Sequence, residues 1–381
     1  MNTTLIILLI CLGLWLLYKV LNYRGGDVDN YNRNIDSYDK GEKNKSKSRI
    51  FSSRKSDSDF SSNPAKKQGF FARLFSVQLP FDDEAITWCA NFLIIEKDVL
   101  IGILRNTSQH YSHFRISKRS GGVRIISAPS PALMSLQKTI YKRILVSVNI
   151  HPAATGFRSN TSIVQNAKAH LGKSQILKVD ITNFFGSIKK RKVIKVFENI
   201  GYPPNISQVL AELCTLDNKL PQGAPTSPVL SNIIASDVDV KLAALSQKKE
   251  LSYTRYADDL TFSGSNIDFE TTLAEIDEIL FKERFIIQRK KTRHITEKRR
   301  KIVTGISISS GEKMTIPKST KRELRKNVYF IQTKGLAEHQ RFIGSTDPTY
   351  LKRIIGQLSF WHMVEPDNDF VKKSLSALKK L

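Results

Sequence analysis

Three aspartates are the residues best able to do chemistry. Asp180 closes the apolar run Gln175-Ile176-Leu177-Lys178-Val179, and Asp258 and Asp259 stand together between two short alternating segments. Carboxylate oxygens are hard ligands, and Mg²⁺ is commonly held by one or two of them together with substrate phosphates. Two such ions can clamp the attacking and leaving oxygens of an in-line phosphoryl displacement. The bland alternative is an ordinary turn, because Asp favours turn conformations by bonding its own backbone. What separates the two readings is whether the fold brings Asp180 to the pair.

The elements around the aspartates say that it does. QILKVD (175–180) reads as a strand, IKKRKVIKVFENIG (188–201) as a helix closing on Gly201, and SPVLSNIIASDVDVKLAAL (227–245) as a second helix. LSYTRY and LTFSG are short strands joined at Ala257-Asp258-Asp259, FETTLAEIDEILFKE is an amphipathic helix, and RFIIQRK (284–290) reads as a last strand. With the inserted second helix set aside the order is β-α-β-β-α-β, the split arrangement of a ferredoxin-like α+β sheet, in which the first strand's end neighbours the central hairpin turn. Upstream, AITWCANFLI and EKDVLIGILRN form a helical lead-in. YSHFRISKRSGGVRIISAP, starting at Tyr111, alternates about Ser120-Gly121-Gly122 as a hairpin with a basic tip.

The 381 residues hold 60 Lys and Arg against 35 Asp and Glu, a net charge of +25 that fits a chain meeting a polyanion, either nucleic acid or an anionic membrane face. A hydrophobic content of 40% excludes a wholly disordered chain. Three Cys without a CxxC exclude a disulfide framework and a Cys-ligated zinc site, and fit a reducing compartment. His110, His113 and His151 lack metal-ligand spacing and read as structural.

Residues 4–21, TLIILLICLGLWLLYKVL, carry one charge and are long enough to cross a hydrocarbon core, so 1–22 is expected to be a transmembrane helix. Residues 23–75 are expected to be a basic disordered tether; between Asn22 and Arg73 Lys and Arg outnumber Asp and Glu by twelve to seven. By the positive-inside rule the tether and everything after it are cytoplasmic.

Several segments carry a family resemblance. Tyr256-Ala257-Asp258-Asp259 resembles the YxDD box of reverse transcriptases, and Val179-Asp180-Ile181-Thr182-Asn183-Phe184-Phe185 their first carboxylate motif. Leu220-Pro221-Gln222-Gly223-Ala224-Pro225-Thr226-Ser227-Pro228 is similar to the Gln-Gly segment before their palm helix, and Lys118 to Arg124 to the fingers motif that grips the incoming triphosphate. Asn166-Ala167-Lys168-Ala169-His170 and Val303-Thr304-Gly305 resemble the NAxxH and VTG motifs of bacterial retron reverse transcriptases. An ordinary helix cap and a turn glycine are the plain readings of those two segments.

The resemblance implies a right-hand polymerase with fingers and palm over 76–317 and a helical thumb over 318–381, the latter seen in STKRELRKNVYFIQTKGL and TYLKRIIGQLSFWHMV. It implies catalysis by Asp180, Asp258 and Asp259, with Mg²⁺ held by these and Ile181. Lys118, Arg124, Phe185, Gln222, Gly223 and Lys291 would bind nucleotide, with Phe185 as steric gate against a 2′-OH. Asn166, His170, Val303, Thr304 and Gly305 would bind RNA. The implied partners are dNTPs, a cognate non-coding RNA and its cDNA, an effector protein and a host RNase H; the front of the chain departs from the usual retron pattern, and residues 4–21, not the resemblance, lead to the expectation of an anchor in the cell inner membrane. The rivals are a reverse transcriptase of another bacterial defence class, a group II intron protein, an RNA-dependent RNA polymerase, and a non-catalytic nucleic-acid-binding protein. About 76 residues follow Gly305, too few for a maturase region or an RNase H domain.

Overall fold

The computed structural model describes residues 79–118 and 121–381. The expected transmembrane helix and tether lie outside the described residues; among the described residues no helix is long and apolar enough to cross a membrane. Helices Asp83–Leu93 and Lys97–Arg105 lead in; Asp82 caps the first by accepting from the Glu84 amide. The antiparallel hairpin β1 (Tyr111–Ser117) and β2 (Val123–Pro129) follows, with Gly121 and Gly122 at φ 85° and 81° beside its tip. β1 is largely exposed, and β2 is exposed at Val123 and Ile125 but buried at Ser127 and Pro129, so the tip projects while the base packs on the body.

A four-stranded antiparallel sheet lies at the centre: β3 (Gln175–Asp180), β4 (Ser252–Tyr256), β5 (Asp259–Gly264) and β6 (Arg293–Ile295), in the order β4-β5-β3-β6. This is the spatial order of the split β-α-β-β-α-β unit. Helix Lys190–Ile200 ends on Gly201 at φ 112°, as its sequence requires. A helix over Pro204–Cys214, opened by a proline in its first turn, was not expected; its buried face holds Ile206, Val209, Leu210 and Leu213.

Two expectations are corrected. The helix read over 227–245 is two, Ser227–Ile234 and Ser236–Lys248, meeting at Ala235; the Ser236 hydroxyl donates to the Asn232 carbonyl at the break, the kind of back-bonding that bends helices. The last strand is not 284–290. There Ile287 makes one isolated bridge to Ile181 before the chain turns at Arg289–Lys291, and Arg293–Ile295 pairs with Ile176–Lys178 instead.

Beyond it, β7 (Ile302–Val303) and β8 (Ile306–Ser307) pair across Thr304 and Gly305, both left-handed at φ 45° and 84°. Two such residues make the turn that matches strand twist. Helices Lys318–Lys334, Leu336–Phe342, Tyr350–Val364 and Asp369–Leu378 complete the chain. One buried cluster runs from Ile176 in the sheet through Val303 and Ile306 to Leu324, Ile354, Trp361 and Leu375. The terminal helices are therefore fused to the sheet by shared apolar burial.

Candidate active site

The register of the central sheet sets the site. Asp180, last in β3, pairs with Asp259, first in β5, and Tyr256 pairs with Asp259 across the β4–β5 turn. The Ile181 amide donates to the Asp258 carbonyl at 2.9 Å, which ties the turn to the chain leaving β3. Asp180 is 7% exposed, Asp258 half-buried and Asp259 exposed.

Lys291 donates to both oxygens of Asp180, at 2.9 and 2.8 Å. Burial pushes the Asp180 carboxyl above its ordinary pKa, and the Asp258 charge adds to that; the Lys291 hydrogen bond and charge work against it. On Lys291 burial acts downward, but the hydrogen bond and charge of Asp180 outweigh it and the ammonium is held above its ordinary pKa. A pocket of about 240 Å³ opens here, lined by Lys178, Val179, Asp180, Asp259, Lys291 and Arg293. A larger one, about 390 Å³ over helix Phe269–Lys282, includes none of the three aspartates. The chemistry follows the carboxylates.

The turn carrying Asp258 is strained and braced. Ala257 sits at φ 58°, a conformation that costs free energy in a residue other than glycine and persists where its surroundings impose it. Arg255, wholly buried, donates to both carboxylate oxygens of Asp239 at 2.8 and 2.5 Å, to Asn232 Oδ1 at 2.9 Å, and to the Ala257 carbonyl at 3.3 Å. Residues 153–157 run beside β4: the Arg255 amide donates to the Ala153 carbonyl and the Thr155 amide to the Arg255 carbonyl. A methyl group on Gly156 would come within 2.9 Å of the Ala257 nitrogen. Sequence reasoning missed this bracing, because an Arg in an alternating strand reads as solvent-facing. Asp239 between Val238 and Leu242 on a helix was the available signal.

Phe184 is buried, whereas Phe185 keeps part of its ring accessible, which separates a core role from a surface one. The expected nucleotide-binding hairpin connects to the Gln-Gly segment. The Ser127 amide donates to the Gln222 carbonyl at 2.8 Å, and a side chain on Gly223 would strike the Ser127 carbonyl at 2.6 Å. Arg124 lies two residues before Ile126, on the strand face that meets Gly223. Lys118 is exposed at the tip, where its amide donates to the Gly122 carbonyl at 2.8 Å and closes the hairpin.

The expected RNA-binding set needs correction. Asn166 is 1% exposed and His170 and Val303 are 0% exposed, so these side chains meet protein, not RNA. Asn166 Oδ1 accepts from the hydroxyls of Thr155 and Thr254, and its Nδ2 donates to Thr304 Oγ1, joining two segments read separately in the sequence. The Thr254 proton is thus committed to Asn166, so His170 donates to Thr254 from Nε2 and accepts from Ser263 at Nδ1. Burial, aided by Lys178 and Lys173, lowers the His170 pKa to about 4. Thr304 and Gly305 alone of the five keep accessible surface.

Residues 116–325, more than half of the chain, match the family model described as reverse transcriptase (RNA-dependent DNA polymerase). The chain belongs to the reverse transcriptase family. Within it, the enzyme is 36% identical over 244 residues to the retron Ec86 reverse transcriptase of Escherichia coli, covering 62% of this chain and 76% of that one. Against the retron Ec83 reverse transcriptase of Escherichia coli it is 28% identical, over 71% of this chain and 90% of that one. Against the retron Mx162 reverse transcriptase of Myxococcus xanthus it is 30% identical, over 67% and 61%. This reverse transcriptase is of retron type, an RNA-directed DNA polymerase.

Proposed function

We propose that this reverse transcriptase copies a cognate structured RNA into single-stranded DNA that stays linked to RNA, within an anti-phage retron system at the cell inner membrane. The observation that carries the catalytic part is the meeting of Asp180, Asp258 and Asp259 at one end of the sheet, with a cation already on Asp180. The donor set is all hard oxygen, and the raised pKa of Asp180 marks a carboxylate whose ionised form calls for positive charge. Among the described residues no three such side chains are gathered as a metal cluster and Lys291 occupies Asp180, so the fit is one of donor chemistry: Asp180, Asp258, Asp259 and the Ile181 carbonyl would hold Mg²⁺, which when bound would supply charge stabilisation to phosphoryl transfer.

The chain's own groups do the rest. Lys291 neutralises Asp180 and lies where a triphosphate would sit, and Lys178 and Arg293 line the same pocket with positive charge. Arg124 and Lys118 are the hairpin cations for the triphosphate, and Gln222 and Gly223 fix that hairpin against the palm. The ring of Phe185 would close the space a 2′-OH needs. Thr304 and Gly305 offer a partly accessible turn through which RNA would be recognised. The relatives are named as retron reverse transcriptases, which supports the RNA-linked product.

Sequencing nucleic acid that copurifies with the enzyme tests the reading. Branched, RNA-linked single-stranded DNA is expected, and DNA free of RNA linkage would overturn it. Membrane anchoring rests on residues 4–21 and their basic flank. After a carbonate wash the full chain is expected in the membrane pellet, and recovery in the soluble fraction would refute the anchor. Removal of the copied RNA by a host RNase H and the action of an effector protein complete the proposal.

A further inference from the structure

Phe157 belongs to none of the motifs read from the sequence, yet it is an aromatic residue at φ 59°. Bulky residues rarely adopt that conformation, and where they do the surroundings have forced it. Here the forcing is visible. The preceding Gly156 has no room for a side chain against Tyr256 and Ala257, its carbonyl accepts from Asn232 Nδ2 at 2.8 Å, and Thr155 is bonded to Arg255. The chain is pinned to the catalytic turn and released one residue later with its ring turned inward.

The ring meets two others. Its centroid is 6.1 Å from that of Phe185 and 6.4 Å from that of Tyr256, within the range of aromatic pairing. On another side Phe185 contacts Phe184 at 5.7 Å, and Phe184 rests on Phe285 at 5.6 Å, with Phe184 and Phe285 both buried. Phe185 therefore has core behind it and Phe157 beside it, while all three of Phe157, Phe185 and Tyr256 stay partly accessible.

We infer that Phe157 is a positioning residue for sugar selection, bracing the Phe185 ring against Phe184 so that it cannot tilt away from a ribose. The inference rests on the reading of Phe185 as the steric gate, and it assigns the left-handed backbone at 157 a purpose. Its test is single-nucleotide incorporation with dNTP and rNTP, comparing the two kcat/KM values in Phe157→Leu, Phe157→Tyr, Phe185→Ala and the double variant Phe157→Leu with Phe185→Ala. Phe157→Leu should lower dNTP-over-rNTP selectivity by about two- to tenfold, the scale of one aromatic contact. Phe157→Tyr, which keeps the ring, should retain selectivity. The double variant should match Phe185→Ala alone, because a brace has nothing left to act on.

Unchanged selectivity in Phe157→Leu beside a relaxed Phe185→Ala would overturn the brace and leave the gate. Unchanged selectivity in Phe185→Ala would overturn the gate itself and the brace with it. Additive losses in the double variant would give Phe157 an independent contact and equally refute bracing. Should Phe157→Leu fail to fold, Phe157→Asn gives the same comparison, since Asn tolerates the left-handed conformation.

Discussion

Asp180 and Lys291 are each other's main electrostatic partner, and under the proposed catalytic role of Asp180 the balance between them sets the acid side of the reaction. Phosphoryl transfer needs Asp180 ionised, while burial and then the Asp258 charge favour its protonated form. Replacing Lys291 with Met removes the hydrogen bonds and the charge that oppose this, so the Asp180 pKa rises further. The acid limb of the pH profile of kcat/KM should then move to higher pH, and an unmoved limb would show that Lys291 acts elsewhere. Asp258→Asn keeps the shape of the turn and removes a carboxylate, so primer extension should fall by more than about a hundredfold. RNA affinity should stay, since it resides on a basic surface; near-normal extension would remove Asp258 from the catalytic set. These residues were legible in sequence because strand order alone brings Asp180 to the pair. Arg255 was not, because only the structure reveals that Asp239, Asn232 and the Ala257 carbonyl surround it.

At the scale of elements, the strand β4 is held by two buried polar devices. The first is the Arg255–Asp239 pair at its end; stripping one partner leaves an uncompensated buried charge, worth about 3–5 kcal/mol. Asp239→Ala should lower the thermal midpoint accordingly, and a midpoint like that of the wild type would contradict the role. The second is the junction of Asn166, Thr254, His170 and Thr304. His170 titrates at about 4 when folded against 6.5 ordinarily, so between those values the unfolded chain binds the extra proton. Its stabilising share is complete above pH 6.5 and is lost as pH falls toward 4, on the order of 3 kcal/mol in all. Against a His170→Gln variant, denaturation midpoints should converge over that window; parallel curves would refute it. The polar character of Asn166 and His170 was plain in the sequence, but not their burial, because six-residue helices such as Ile163–Lys168 leave too little periodicity to mark an inner face. The break at Ala235 was likewise hidden, since apolar spacing continues across it.

Across the whole molecule, the excess of 60 cationic over 35 acidic side chains makes binding of an RNA–DNA duplex a counterion-release process. Affinity should fall log-linearly with salt, with the same slope in wild type and Asp258→Asn. A weak salt dependence would show recognition to be non-ionic. The terminal helices were legible from their basic amphipathic pattern, apart from Leu336–Phe342 and Asp369–Leu378, while their fusion to the sheet was not, as it depends on Ile176 and Val303 far upstream. That same long reach has a consequence for synthesis on the ribosome. Lys291 meets Asp180 across 111 positions, Thr304 meets Asn166 across 138, and Ile295 pairs with Ile176. While β3 is being translated its eventual neighbour β6 does not yet exist, and chains emerge at about 5–20 residues per second. A nascent polypeptide therefore passes through an interval in which the sheet that carries the aspartates is incomplete. Ribosome-arrested chains halted just after Lys282 should be protease-sensitive at β3 and unable to extend a primer, and an active arrested chain would show that β6 and the elements after it are dispensable.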